Sequence, residues 1–306
     1  MADVLDSFVP ISIGSDDLRV EVLPFGAALI GVWAADRDGR VTNVVLRHDD
    51  LFAYATHTTN SYLGATVGRY ANRIAGARVE IDDVAHRLIA NNGPNTLHGG
   101  PIGWAFRPWS VVACDRSAVE LELIDCDGEQ GFPGRVTVRV RYAVDGGTVS
   151  VSAVATTDAP TVVSMTNHAY WNLAGGGVID GHDLWLDSGR CALVDDAMLP
   201  TGSFATIDEG RVPLGRWDNW FEFSAGRDEG DPAARLVDPL SGRALTMWTD
   251  QPGAQVYTGD GLKADFIPRV GVCVEAGTIP NSPDACVLRP GETYRWSVRC
   301  QFGIAV

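Results

Sequence analysis

The chain has 306 residues, 45% of them hydrophobic and 21% charged, with a formal net charge of -15. Such a composition builds a large core and excludes a disordered chain. The acidic balance repels phosphate backbones and anionic headgroups, so neither nucleic acid nor a membrane surface is an expected partner, whereas a neutral ligand such as a sugar is compatible with it.

The N-terminus, MADVLDSF, lacks the basic start and apolar run of a secretory signal, and the longest apolar stretch, FGAALIGVWAA, is too short to span a bilayer. A cytoplasmic location is the expectation. LRVEVLPFGAALIGVWAADRDGRVTNVVL predicts three short strands. GRYANRIAG sets Asn72 and Arg73 among small residues, and RVEIDDVAHRLIAN predicts a hairpin turning at Asp82-Asp83. The loop NNGPNTLHGGPIGW carries His98 beside glycines that let a backbone approach a ligand.

In RVTVRVRYAV the side chains of Val136, Val138, Val140 and Tyr142 fall on one face, with Thr137, Arg139 and Arg141 on the other. Asp145-Gly146-Gly147 then signals a tight turn into TVSVSAVATT, so the pair predicts an antiparallel hairpin. TNHAYWNLAGGG sets His168 beside aromatics that can stack on a ligand. WDNWFEF carries Asp218 between aromatics. In VGVCVEAGTIPNSPD, Glu275 closes the apolar run from Val270 to Val274, where a carboxylate is costly to bury unless paired or protonated. A raised pKa would suit it to general-base work near neutral pH.

No Gly- and Pro-free segment of helical length shows helical periodicity, and there is no low-complexity linker or fixed-period repeat. The expected fold is all-β, a single large antiparallel β-sandwich over residues 1–306.

Bland alternatives stand beside each of these residues. His48, His57, His86 and His182 lie among polar or charged neighbours, and an isolated histidine is more often a satisfied side chain than a catalyst. A strand-end Glu is more often solvated. The six cysteines form no C-x-x-C pair and are expected to be reduced and mostly buried. Two histidines and a glutamate can hold zinc, but there is no H-x-H or H-E-x-x-H, so no metal is expected.

Taken in order, LPFGAALIGV, GRYANRIAG, GPNTLHGG, DGEQGFPG, TNHAYWNLAG, PGAQVYTGD, VCVEAGTIPNSPD and LRPGETY resemble the aldose 1-epimerases, the galactose mutarotase family, over nearly the whole chain. The resemblance implies a β-sandwich of the supersandwich type, a shallow cleft across one sheet and no cofactor. It implies Glu275 as general base and His168 as general acid, with Asn72, Arg73, His98, Asp218 and Gln255 binding and orienting a monosaccharide.

Mutarotation needs a proton taken from the O1 hydroxyl and another given to the ring oxygen. These base and acid roles lead to a bell-shaped pH profile, falling on the acid side as Glu275 protonates and on the alkaline side as His168 deprotonates. Where the family commonly has Thr-Gln-His after the glutamate, this chain has Ala276, Gly277 and Thr278. Where it commonly has Asp-His-Asn-Phe, this chain has Asp218, Asn219, Trp220 and Phe221. Loss of polar bulk near the base leads to a permissive cleft, with galactose, glucose, xylose and arabinose all plausible substrates. The rival readings are a catalytically silent carbohydrate-binding sandwich and a hexose-phosphate epimerase. Monomer and homodimer are equally compatible with the sequence.

Overall fold

A computed structural model of the chain describes residues 4–56, 61–208, 210–228, 230–262 and 266–305. Strands dominate it. The helices among the described residues are 3-10 turns of three to five residues, none long and apolar enough to cross a membrane.

Two antiparallel sheets hold most of the strand residues. The larger has nine strands, in the order Ser110–Cys114, Ala118–Asp125, Val136–Asp145, Thr148–Thr157, Tyr294–Ile304, Arg243–Thr249, Ala234–Val237, Asp183–Leu186 and Arg211–Val212. The smaller has six, in the order Tyr170–Trp171, Val272–Ala276, Gly253–Tyr257, Asp218–Phe223, Ser188–Val194 and Pro200–Thr206. The three expected N-terminal strands are Arg19–Leu23, Ala28–Ala35 and Val41–Asn43, in a four-stranded sheet with Ile11–Gly14.

Both expected hairpins form. Val136–Asp145 pairs with Thr148–Thr157 through Asp145 opposite Thr148, so the turn is Gly146-Gly147, with Gly146 at a φ of 50°. Val136, Val138, Val140 and Tyr142 have no exposed surface, while Arg139 and Arg141 face solvent. Arg78–Ile81 pairs with Val84–Arg87, with Ile81 opposite Val84.

The pleat decides what the site can use. In Val272–Ala276 the side chains of Val272, Val274 and Ala276 point into the core between the sheets, where Val274 and Ala276 meet Val151, Trp296 and Val298 of the nine-stranded sheet. Burying a side chain of valine size stabilises by about 1.5–3 kcal/mol. The Trp296 indole N–H donates to the Ala276 carbonyl at 3.0 Å, tying one sheet to the other. Alternation therefore turns Cys273 and Glu275 to the opposite face.

Candidate active site

A cleft of about 420 Å³ lies on that opposite face, and its lining includes Asn72, Arg73, His98, His168, Asp218, Gln255 and Glu275. All seven sequence-derived residues, spread over two hundred positions, meet there. His48, His86 and His182 do not line it, and His57 lies outside the described residues.

Strand register places three of the seven, Asp218, Gln255 and Glu275. Directly opposed residues in an antiparallel pair share a face. Tyr170 opposes Cys273, Cys273 opposes Tyr257, and Tyr257 opposes Asp218, making one row across the sheet. Glu275 opposes Gln255, which opposes Trp220, making the next. Gln255 donates from Nε2 to Asp218 Oδ1 at 2.7 Å, so its amide is oriented and Oε1, which is buried, has no hydrogen-bond partner among the described residues. A sugar hydroxyl is the natural donor to such an oxygen.

Two loops bring in the rest. Arg69 is buried and anchors the GRYANR segment: Nε donates to Asp125 at 2.9 Å, and Nη1 donates to the carbonyls of Pro133 and Gly134 in the DGEQGFPG segment. At Gly99, with a φ of 80°, an added Cβ would lie 2.0 Å from the Gly68 carbonyl oxygen, so only glycine lets the two loops approach this closely. Asn72 and His98 then bind each other twice. The His98 N–H donates to the Asn72 carbonyl, and the Asn72 N–H donates to His98 Nδ1, both at 3.0 Å. His98 is thereby held at a φ of 52°, and burial, with His168 and Arg73 nearby, keeps it neutral. Its hydrogen must sit on Nε2. Arg73 donates to Asn92 Oδ1 at 3.1 Å and faces Asp218 at 3.8 Å.

His168 and Glu275 are both buried, with His168 Nε2 3.6 Å from Glu275 Oε1. Thr166, two residues before the histidine, donates from its hydroxyl to the carbonyl of Ala276, the residue after the glutamate, at 3.0 Å. The Asn167 amide and the Tyr142 hydroxyl hold the other side of that turn. Burial lowers the His168 pKa to about 4. It raises that of Glu275 well above the usual carboxylate range, with Asp218 pushing the same way and Arg73 partly opposing. The raised Glu275 pKa is in the direction the sequence suggested, whereas His168 falls below its near-neutral reference value; together the two directions favour a neutral imidazole beside a protonated carboxyl, because desolvation penalises each charged form.

The aldose 1-epimerase family model matches residues 10–301. The chain belongs to the aldose 1-epimerase family. It is 34% identical to galactose mutarotase of Bos taurus over 95% of this chain and 93% of that protein. An aldose epimerase homologue from C. elegans superposes with a TM-score of 0.91 at 27% identity, covering 97% of this chain and 99% of that one. Galactose 1-epimerase from Lactobacillus acidophilus superposes with a TM-score of 0.85 at 26% identity, covering 97% and 95%.

Against the family pattern, one inference from the substitutions fails. Ala276 was expected to relieve polar bulk beside the base, but it points into the core behind Glu275. Gly277 offers its carbonyl to the Trp220 indole at 3.1 Å, and Trp220 lies so close over Gly253 that a Cβ there would come within 2.3 Å of its ring. The changes are linked packing, and Ala276, Gly277 and Thr278 are not among the residues that line the cleft.

Sequence reasoning also passed over groups that the cleft contains. Tyr62 stacks on His168 with ring centroids 5.8 Å apart, and Tyr170 approaches it at 5.1 Å. Behind the cleft lining, Cys273 is buried as expected, with its sulfur 3.4 Å from His168 Nδ1. Period-two spacing from Glu275 and Gln255 would have found Cys273 and Tyr257. Cys273 also completes a group able to hold a metal, since donor atoms of His168, Cys273 and Glu275 lie within 4.8 Å of one another. The sulfur meets Nδ1 while the carboxylate faces Nε2. Those nitrogens point to opposite edges of the ring, so the three form a chain of contacts in place of a chelate.

Proposed function

We propose that the chain is an aldose 1-epimerase that interconverts the α and β anomers of a free monosaccharide, with Glu275 and His168 as the proton-transferring pair. The observation that carries this is a carboxyl and an imidazole nitrogen 3.6 Å apart, both buried, in a cleft whose lining also includes Asn72, Arg73, His98, Asp218 and Gln255. The pair holds one proton. Moving it from Glu275 to His168 Nε2 gives a carboxylate and an imidazolium with no change in proton count. The carboxylate takes the O1 hydroxyl proton while the imidazolium gives one to the ring oxygen. The C1–O5 bond breaks, C1=O forms, and rotation about C1–C2 presents the other face before the same steps run backwards. Burial makes that imidazolium strongly acidic, which suits protonation of a weakly basic ether oxygen.

His98 Nε2–H and Arg73 supply donors to the sugar, while Asp218 and the unpartnered Gln255 Oε1 supply acceptors. A phosphorylated sugar fits less well, because Arg73 is already engaged by Asn92 and Asp218 and Glu275 adds an acidic group to the same cleft. Retention of both proton-transfer groups disfavours a silent binder. Polarimetry of freshly dissolved α-galactose, α-glucose, α-xylose and β-arabinose tests the proposal. Faster relaxation with protein than without is expected for at least one sugar, and no acceleration for any of them refutes it.

A further inference from the structure

A ring that loads and unloads a proton at one nitrogen works only if its other nitrogen keeps a hydrogen throughout. For His168 the working nitrogen is Nε2, which faces Glu275. The sulfur of Cys273 stands at Nδ1, 3.4 Å away. The thiol hydrogen has a separate outlet. Tyr170 sits opposite Cys273 across the strand pair, and because its hydroxyl donates to the Ser61 carbonyl at 3.1 Å, its oxygen is left to accept.

We propose that Cys273 is a positioning residue for His168: its sulfur accepts the Nδ1 hydrogen and so reserves Nε2 for proton exchange with Glu275 and the sugar. The proposal rests on the mutarotase reading given above. Sulfur at this place has a chemical consequence that a carboxylate would not have. A carboxylate at Nδ1 would stabilise the imidazolium and weaken it as an acid. Cys273 stays a neutral thiol, because burial raises its pKa well above the ordinary range. The remaining rings around His168, those of Tyr62, His98 and Tyr170, bring no anion to it either. The thiol thus orients the ring without placing an anion at Nδ1.

Cys273→Ser and Cys273→Ala test this with two readouts. Long-range proton–nitrogen NMR of His168 in the sugar-free protein reports the tautomer without any turnover. The expected result is hydrogen on Nδ1 in the wild type and the serine variant, and a mixture of tautomers in the alanine variant. In the anomerisation assay, the alanine variant should lose up to about 10²-fold in kcat, the scale of a misplaced catalytic group, with KM nearly unchanged, and serine should restore most of the loss. A wild-type ring carrying its hydrogen on Nε2 overturns the proposal. So does a folded alanine variant with wild-type kcat. If the wild type accelerates no anomerisation, the functional reading falls, and the NMR result still decides the role of Cys273.

Discussion

The Asn72 backbone N–H donates to Nδ1 of His98 at 3.0 Å, and this contact fixes what the imidazole can do. With Nδ1 accepting and the ring neutral, His98 offers the cleft one N–H donor at Nε2 and no labile proton. His98→Asn keeps an acceptor for Asn72 and removes the donor. It should raise KM by about 10-fold or more with little change in kcat, as expected for losing a hydrogen bond to bound sugar worth about 1–3 kcal/mol. Steady-state kinetics on the preferred sugar checks this, and a fall in kcat with KM unchanged would give His98 a part in the chemistry.

Gln255 Oε1 is buried without a partner while Nε2 is held by Asp218. A site built to accept a hydroxyl rejects a sugar that cannot offer one far more strongly than an apolar pocket does. Across galactose, glucose, xylose and arabinose, kcat/KM should therefore span about a thousandfold or more, and Gln255→Leu should compress that span. A wild-type panel that varies by only a few-fold contradicts this use of Gln255.

The raised pKa of Glu275 makes a stability prediction of definite sign. A carboxyl with a folded pKa above its unfolded value contributes stability that is fully present below the unfolded pKa and is lost as pH rises through the folded one. Glu275→Gln removes that dependence. The variant should have a higher Tm than the wild type at pH 8, and the difference should shrink towards pH 4. A gap of constant size across this range contradicts a desolvated Glu275. His168, with its pKa lowered to about 4, runs oppositely: its contribution is present above the unfolded value and is lost as pH falls through 4. Activity should accordingly fall on the acid side as the pair takes a second proton, near the low pKa of His168, and on the alkaline side as it loses its last one from Glu275.

The long strands were legible because alternation over ten residues leaves one solution, as in Val136 to Tyr142. Glu275 was legible because a carboxylate ending an apolar run demands a reason. Ala276 was misread because nearness in sequence was taken for nearness in space, whereas one residue along a strand is the opposite face. Cys273 was overlooked although the same pleat puts it beside Glu275. Arg69 and its receivers Asp125, Pro133 and Gly134 were beyond local reading, since nothing in GRYANR says that its arginine will find acceptors 56 to 65 residues downstream.

The account turns on His168 and Glu275 acting together, and a double-mutant cycle on kcat tests that most directly. Glu275→Gln and His168→Asn keep approximate shape and remove proton transfer, so each should cost on the order of 10²- to 10⁴-fold in kcat. Because the two serve one step, the double variant should lose much less than the product of the single losses. A folded His168→Asn protein that retains near wild-type kcat, or losses that simply multiply, would contradict the pair as the proton-transferring machinery.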